Sequence, residues 1–62
     1  MVSRELRISD ADRNAVARQL ARALREGRLT LDEFDERSRD AYAARTRGDL
    51  EDIVRDLPPD LW

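Results

Sequence analysis

Within eight residues, Gly27-Arg28-Leu29-Thr30-Leu31-Asp32-Glu33-Phe34, the chain stops one helix and starts the next. Gly27 can take the left-handed conformation that closes a helix. Thr30 can cap the following helix, and Glu33 three residues later completes the pattern of a capping box. Leu29 before the cap and Phe34 at the fourth helical position fit a hydrophobic staple, which fixes the angle at which the chain enters the helix. These signals agree on a helical hairpin.

Size limits what can be built around that hairpin. Sixty-two residues make one domain near the lower limit for folding without a metal or disulfide staple. There is no cysteine and no histidine, which removes disulfides, thiolate sites and imidazole chemistry. With 42% charged and 5% aromatic residues the chain approaches disordered composition, but its net charge is only −2. The apolar residues also recur at helical spacing. Marginal stability, or help from a partner, is the expectation.

Three helices are predicted. The first runs from about 10 to 26, capped by Ser9, with Asp10 and Asp12 placed to favour the positive end of its dipole. Val16, Leu20, Ala23 and Leu24 form its buried stripe. The second runs from about 31 to 45 with Phe34, Ser38, Ala41 and Tyr42 on one face, Ser38 standing where an apolar residue would fit better. The third runs from about 47 to 57 behind Thr46 and carries the cleanest stripe, Leu50, Ile53, Val54 and Leu57. Pro58-Pro59 ends it, since neither proline donates a backbone hydrogen bond. Residues 1–8 read as an arm lying extended against the helices, 9–57 as the domain, and 58–62 as a tail or the start of a linker. The fold class is all-α, a hairpin with a short third helix packed across it.

All twelve basic residues are arginine. Codon composition in a GC-rich genome is the bland explanation; bidentate pairing with the fourteen carboxylates is the physical use. Residues 1–28 carry a balance of +3 and residues 29–62 a balance of −5. An antiparallel hairpin would then set Arg25 against Glu33, Arg22 against Glu36 and Arg18 against Asp40, each exposed pair worth at most about 1 kcal/mol.

Sites of chemistry are hard to assemble from this set. Asp10, Asp12 and Asn14 match the first three ligands of a calcium loop, but Ala15 and Ala21 replace the glycine and the bidentate glutamate. Arg47-Gly48-Asp49 spells an integrin-type tripeptide, yet it follows a helix cap and reads as a first helical turn. The acidic block Asp32, Glu33, Asp35 and Glu36 suits a helix N-terminus, and a chain of this size scarcely encloses the pocket that paired catalytic carboxylates need. Ser3, Ser9 and Ser38 lack a histidine or lysine base. No enzymatic activity, metal or cofactor is expected. Nucleic-acid binding is the alternative, through Arg13, Arg18, Arg22 and Arg25 of the first helix. The acidic overall balance opposes it.

Leu6-Arg7, Ser9-Asp10-Ala11-Asp12-Arg13, Gly27-Arg28-Leu29-Thr30, Glu33-Phe34-Asp35-Glu36-Arg37, Ala44-Arg45-Thr46 and Asp56-Leu57-Pro58 follow one another in order. Together they resemble an actinobacterial family, domain of unknown function 1707, related to the short C-terminal (SHOCT) domains. The resemblance covers residues 6–58. It departs at Ile8, at Ser38 where the family usually has an apolar residue, and at Asp49 where glutamate is commoner. It implies a small helical module, usually N-terminal and often followed by membrane helices or a cell-envelope domain, with an interaction or oligomerisation role and no catalytic residue to carry over.

The expected function is therefore protein–protein interaction or self-association. The contact surface is expected at Leu50, Ile53, Val54 and Leu57, with Tyr42, Leu61 and Trp62 nearby; the competing assignment is that the third helix completes the internal core. No segment of eighteen apolar residues is present, so no membrane span is expected in this chain. A cytoplasmic setting, at the inner face of the plasma membrane in a longer protein, is the expected location.

Overall fold

The computed structural model describes residues 4–58 and contains three helices, α1 (Asp10–Arg25), α2 (Leu31–Ala43) and α3 (Arg47–Ile53). The hairpin turn behaves as its residues demand. Gly27 has φ +74°, and the Arg28 and Gly27 amides bond the Ala23 and Leu24 carbonyls at 2.8 and 3.1 Å. These are the two bonds of a Schellman closure, a geometry that a side chain at position 27 would strain. Leu29 is then buried, and Phe34 packs against the same core.

Each helix starts with a complete capping box. Ser9 with Asp12, Thr30 with Glu33 and Thr46 with Asp49 each exchange side-chain and backbone hydrogen bonds. The backbone N–H groups of Ser9, Thr30 and Arg45 depress the carboxyls of Asp12, Glu33 and Asp49 below their ordinary values of 3.8, 4.5 and 3.8. Each carboxylate serves as an acceptor for donors that the helix start leaves unpaired.

Two helices end earlier than their periodicity suggests. α2 stops at Ala43 rather than near 45, because Ala44 is extended (φ −64°, ψ 143°) and leads straight into the Thr46 cap. α3 stops at Ile53 rather than 57, with Val54 at φ −114° and a turn closed by Leu57 N–H to Val54 O at 3.0 Å. Pro58 disfavours a helical conformation at Leu57, so the stripe runs past the helix that carries it. Val54 and Leu57 still pack against the core from that turn.

The core is Val16, Leu20, Ala23, Leu29, Ala41, Ala44 and Leu50, with Leu20 fully buried. α2 packs against α1 on one side and α3 on the other. The carboxylates expected to face α1 across the hairpin lie on the side of α2 toward α3. Glu33, Glu36 and Asp40 line a cleft with Asp52, Arg55 and Asp56, on the flank of α2 that faces α3. Arg22 pairs with Glu26 in its own helix at 3.1 Å. The reason is rotational: residues 33, 36 and 40 fall about 140–200° from Leu31 around the helix, away from α1.

Arginines tie the helix ends together instead. Arg13 of α1 donates to the Ala44 carbonyl at 2.6 Å, and Arg37 of α2 donates to the Ile53 carbonyl at 3.0 Å. Neither α2 nor α3 has a basic residue in its own last turn, so each C-terminal end takes its cation from the preceding helix. Arg37 also grips both oxygens of Asp56, at 2.7 and 3.0 Å, which lowers that carboxyl and keeps the guanidinium firmly protonated.

The arm is extended, and its target is the start of α3. Arg7 and Thr46 form an antiparallel bridge. The Leu6 and Arg4 carbonyls accept from the first two helical amides, Arg47 N–H at 2.9 Å and Gly48 N–H at 2.8 Å. The Arg4 guanidinium continues over Gly48 to Glu51 (3.3 Å) and Asp52 (3.2 Å). A Cβ on Gly48 would sit 3.0 Å from Arg4 Nη2, so glycine there makes room for the arm.

Gly48→Ala should therefore leave stability within about 0.5 kcal/mol, its helix-propensity gain of about 1 kcal/mol offset by displacement of Arg4. In an Arg4→Ala background the same substitution should stabilise by nearly the full amount, a coupling read by urea melts. The depressed carboxyls of Asp12, Glu33, Asp49 and Asp56 supply stability that is fully present above their unfolded values. It is lost as pH falls through the lower folded values. Helicity should hold above about pH 5 and decline below about pH 4. Glu33→Gln, which preserves the box but cannot titrate, should soften that decline in circular dichroism.

Candidate interaction surface

Two concave regions flank α2 and differ in chemistry. Between α2 and α3 lies an open cleft of about 460 Å³ bordered by Glu33, Glu36, Asp40, Asp52 and Asp56 with Arg37 and Arg55. Its charges are already engaged in part: Arg37 holds Asp56, and Arg55 holds Asp52. Among the described residues no His, Cys, Asp or Glu group is gathered as a metal would require.

Between α1 and α2 lies a groove of about 300 Å³ that is mainly apolar. Ala17 and Leu20 come from α1, and Phe34, Ser38, Ala41 and Tyr42 from α2, with Arg13 and Asn14 at one end. It exists because the residues facing each other here are small: Ala17, Ser38 and Ala41 cannot fill the space between the helices. The Arg13 side chain is fixed by its bond to Ala44, and its Nε is buried without a hydrogen-bond partner among the described residues. Tyr42 stands at the groove edge with 81% of its surface exposed, and Leu31, at the start of the same helix, is 69% exposed.

The structure divides the sequence-predicted surface residues. Leu50, a candidate for the contact surface, is 4% exposed and belongs to the internal core, the competing assignment. Ile53, Val54 and Leu57 are half-buried against that core. The third helix thus spends its stripe inside the molecule, because α3 is only two turns long and must bury it to pack at all. Tyr42 lies apart from them, on the α1 side of α2. Leu61 and Trp62 lie outside the described residues. Of the arginines considered for nucleic acid, Arg13 is half-buried and bound to a carbonyl, Arg22 holds Glu26, and Arg18 is also partnered. Arg25 is exposed at the end of α1.

Sequence reasoning passed over Leu31 because it begins a helix and looks like part of the turn. The signal was available: Leu31, Ser38 and Tyr42 recur at seven and four residues, one side of a helix. Asn14 and Ala17 carried no such signal, since only packing shows that they wall a groove. Ser38→Leu should fill this space, stabilise the chain by about 1 kcal/mol and raise the melting midpoint by about 4–8 °C. Thermal melts at low concentration check it.

The relatives of this chain add a name but no activity. Over 52 residues it is 44% identical to an uncharacterised protein of Mycobacterium tuberculosis, a match covering 84% of the chain and 26% of the relative. A second uncharacterised protein of that organism is 45% identical over 56 residues, covering 90% of the chain and 19% of the relative. The chain thus spans about a quarter or less of these relatives. No solved structure gives a significant match. Residues 6–58 match the model of the DUF1707 SHOCT-like domain, the family to which this chain belongs.

Proposed function

We propose that this domain is a non-catalytic interaction module, binding another protein or itself. In its natural setting it would form the N-terminal cytoplasmic part of a longer membrane- or envelope-associated protein. The observation that carries the reading is the apolar α1–α2 groove with Tyr42 exposed at its edge, and Leu31 exposed at the start of the same helix. A large side chain left in water at the edge of an apolar groove marks a contact surface more often than a solvated face. The absence of histidine and cysteine from the chain fits a role without acid–base or thiolate chemistry. The relatives extend well beyond the matched segment, as expected of a module attached to other parts. No helix of the described residues is long and apolar enough to cross a membrane, so any membrane attachment would come from elsewhere.

Sedimentation equilibrium over a hundredfold concentration range, with helicity followed alongside, tests the reading. The expected result is a mass that rises with concentration, without salt-sensitive retention on heparin or duplex DNA. Constant monomer mass, combined with DNA retention that disappears in Arg18→Glu/Arg25→Glu, would overturn it in favour of nucleic-acid binding. A helical monomer with no DNA retention would leave docking to a different protein as the function.

A further inference from the structure

We infer that the partner of this surface is a second copy of the chain, the outer face of α2 pairing antiparallel with the same face of another α2. This rests on the interaction reading above and specifies its partner. At 100° per residue, Leu31, Asp35, Ser38 and Tyr42 fall within about 60° of one another on α2. Leu31 and Tyr42 are the exposed ends of this stripe, and Ser38, on the groove, is its small centre. A small central residue lets a second helix approach closely, as at tight helix crossings.

The register is self-complementary. A two-fold axis midway between positions 31 and 42 crosses α2 between residues 36 and 37. The axis midway between 35 and 39 crosses at residue 37, displaced by about 0.75 Å of helix rise. One axis therefore sets Tyr42 against the second copy's Leu31 and Asp35 against the second copy's Arg39, each twice, as an isologous contact requires. Asp35 and Arg39 lie on the same flank of the stripe, and such a two-fold brings like flanks together. Within one chain they pair at 3.3 Å with side chains 68% and 72% exposed. The two intrachain pairs of a dimer can be exchanged for two across the interface without leaving a charge unmatched.

The other flank of α2 argues against a different pairing. Glu33, Glu36 and Asp40 lie there, so two copies meeting through it would oppose carboxylate to carboxylate. On the Leu31–Tyr42 side the charges alternate and the apolar residues coincide.

The test uses the whole chain, from about 10 µM to about 1 mM, in sedimentation equilibrium. Asp35→Arg and Arg39→Asp should each weaken association by about tenfold or more, because each places two like-charged pairs across the axis. The double exchange Asp35→Arg/Arg39→Asp should restore it to within about threefold. Tyr42→Glu, at a site outside the core, should abolish it while leaving the helicity of the dilute chain unchanged. Association that survives both single exchanges and Tyr42→Glu would overturn this face while leaving self-association intact. A monomer up to about 1 mM would overturn the second copy as partner and leave the interaction reading to a different protein.

Discussion

Helix ends govern this molecule. Its three helices span 16, 13 and 7 residues, so groups within four residues of an end make up most of the helical backbone. Helices this short have little intrinsic stability, and an unpaired end would remove much of it. The N-terminal ends are closed locally by three capping boxes, and the first C-terminal end by the glycine closure at Gly27. The two remaining C-terminal ends and the first amides of α3 are closed from a distance, by Arg13, Arg37 and the backbone of the arm. Tertiary structure here is largely the set of contacts that completes what local sequence leaves open.

That division gives the arginines a structural task. A guanidinium can reach a carbonyl and a carboxylate in one plane, which is how Arg37 joins Ile53 and Asp56. A lysine in its place would supply charge without the fork. Several acids are likewise committed: Asp12, Glu33 and Asp49 close helix starts, and Asp56, in the turn after α3, holds Arg37. Part of the high charge content thus acts as backbone completion, and the composition is less close to disorder than it first looks.

The same economy shapes the surface. With α3 using Leu50 and its neighbours internally, the two most exposed large apolar residues of the described chain, Tyr42 and Leu31, stand on the far side of α2. There Ala17, Ser38 and Ala41 leave space between α1 and α2, and Tyr42 and Leu31 stand exposed along one stripe. A small domain that buries few large residues would gain stability if such a face were covered.

The sequence determined the local structure: three helix starts, the hairpin turn and the family. The helix starts and the turn rest on interactions within a few residues, such as Ser9 with Asp12 or Gly27 with Leu24, and these leave a mark at fixed spacing. Periodicity also identified Leu20 and Leu50 as apolar positions of their helices, but could not say which apolar stripe would face inward. Only the tertiary structure decided that α3 is consumed by the core, that the acidic flank of α2 turns toward α3, and that a groove opens at Ser38. These outcomes depend on the rotation of one helix against another. That rotation is set by the summed packing of all three helices and the arm, and no single spacing in the sequence records it.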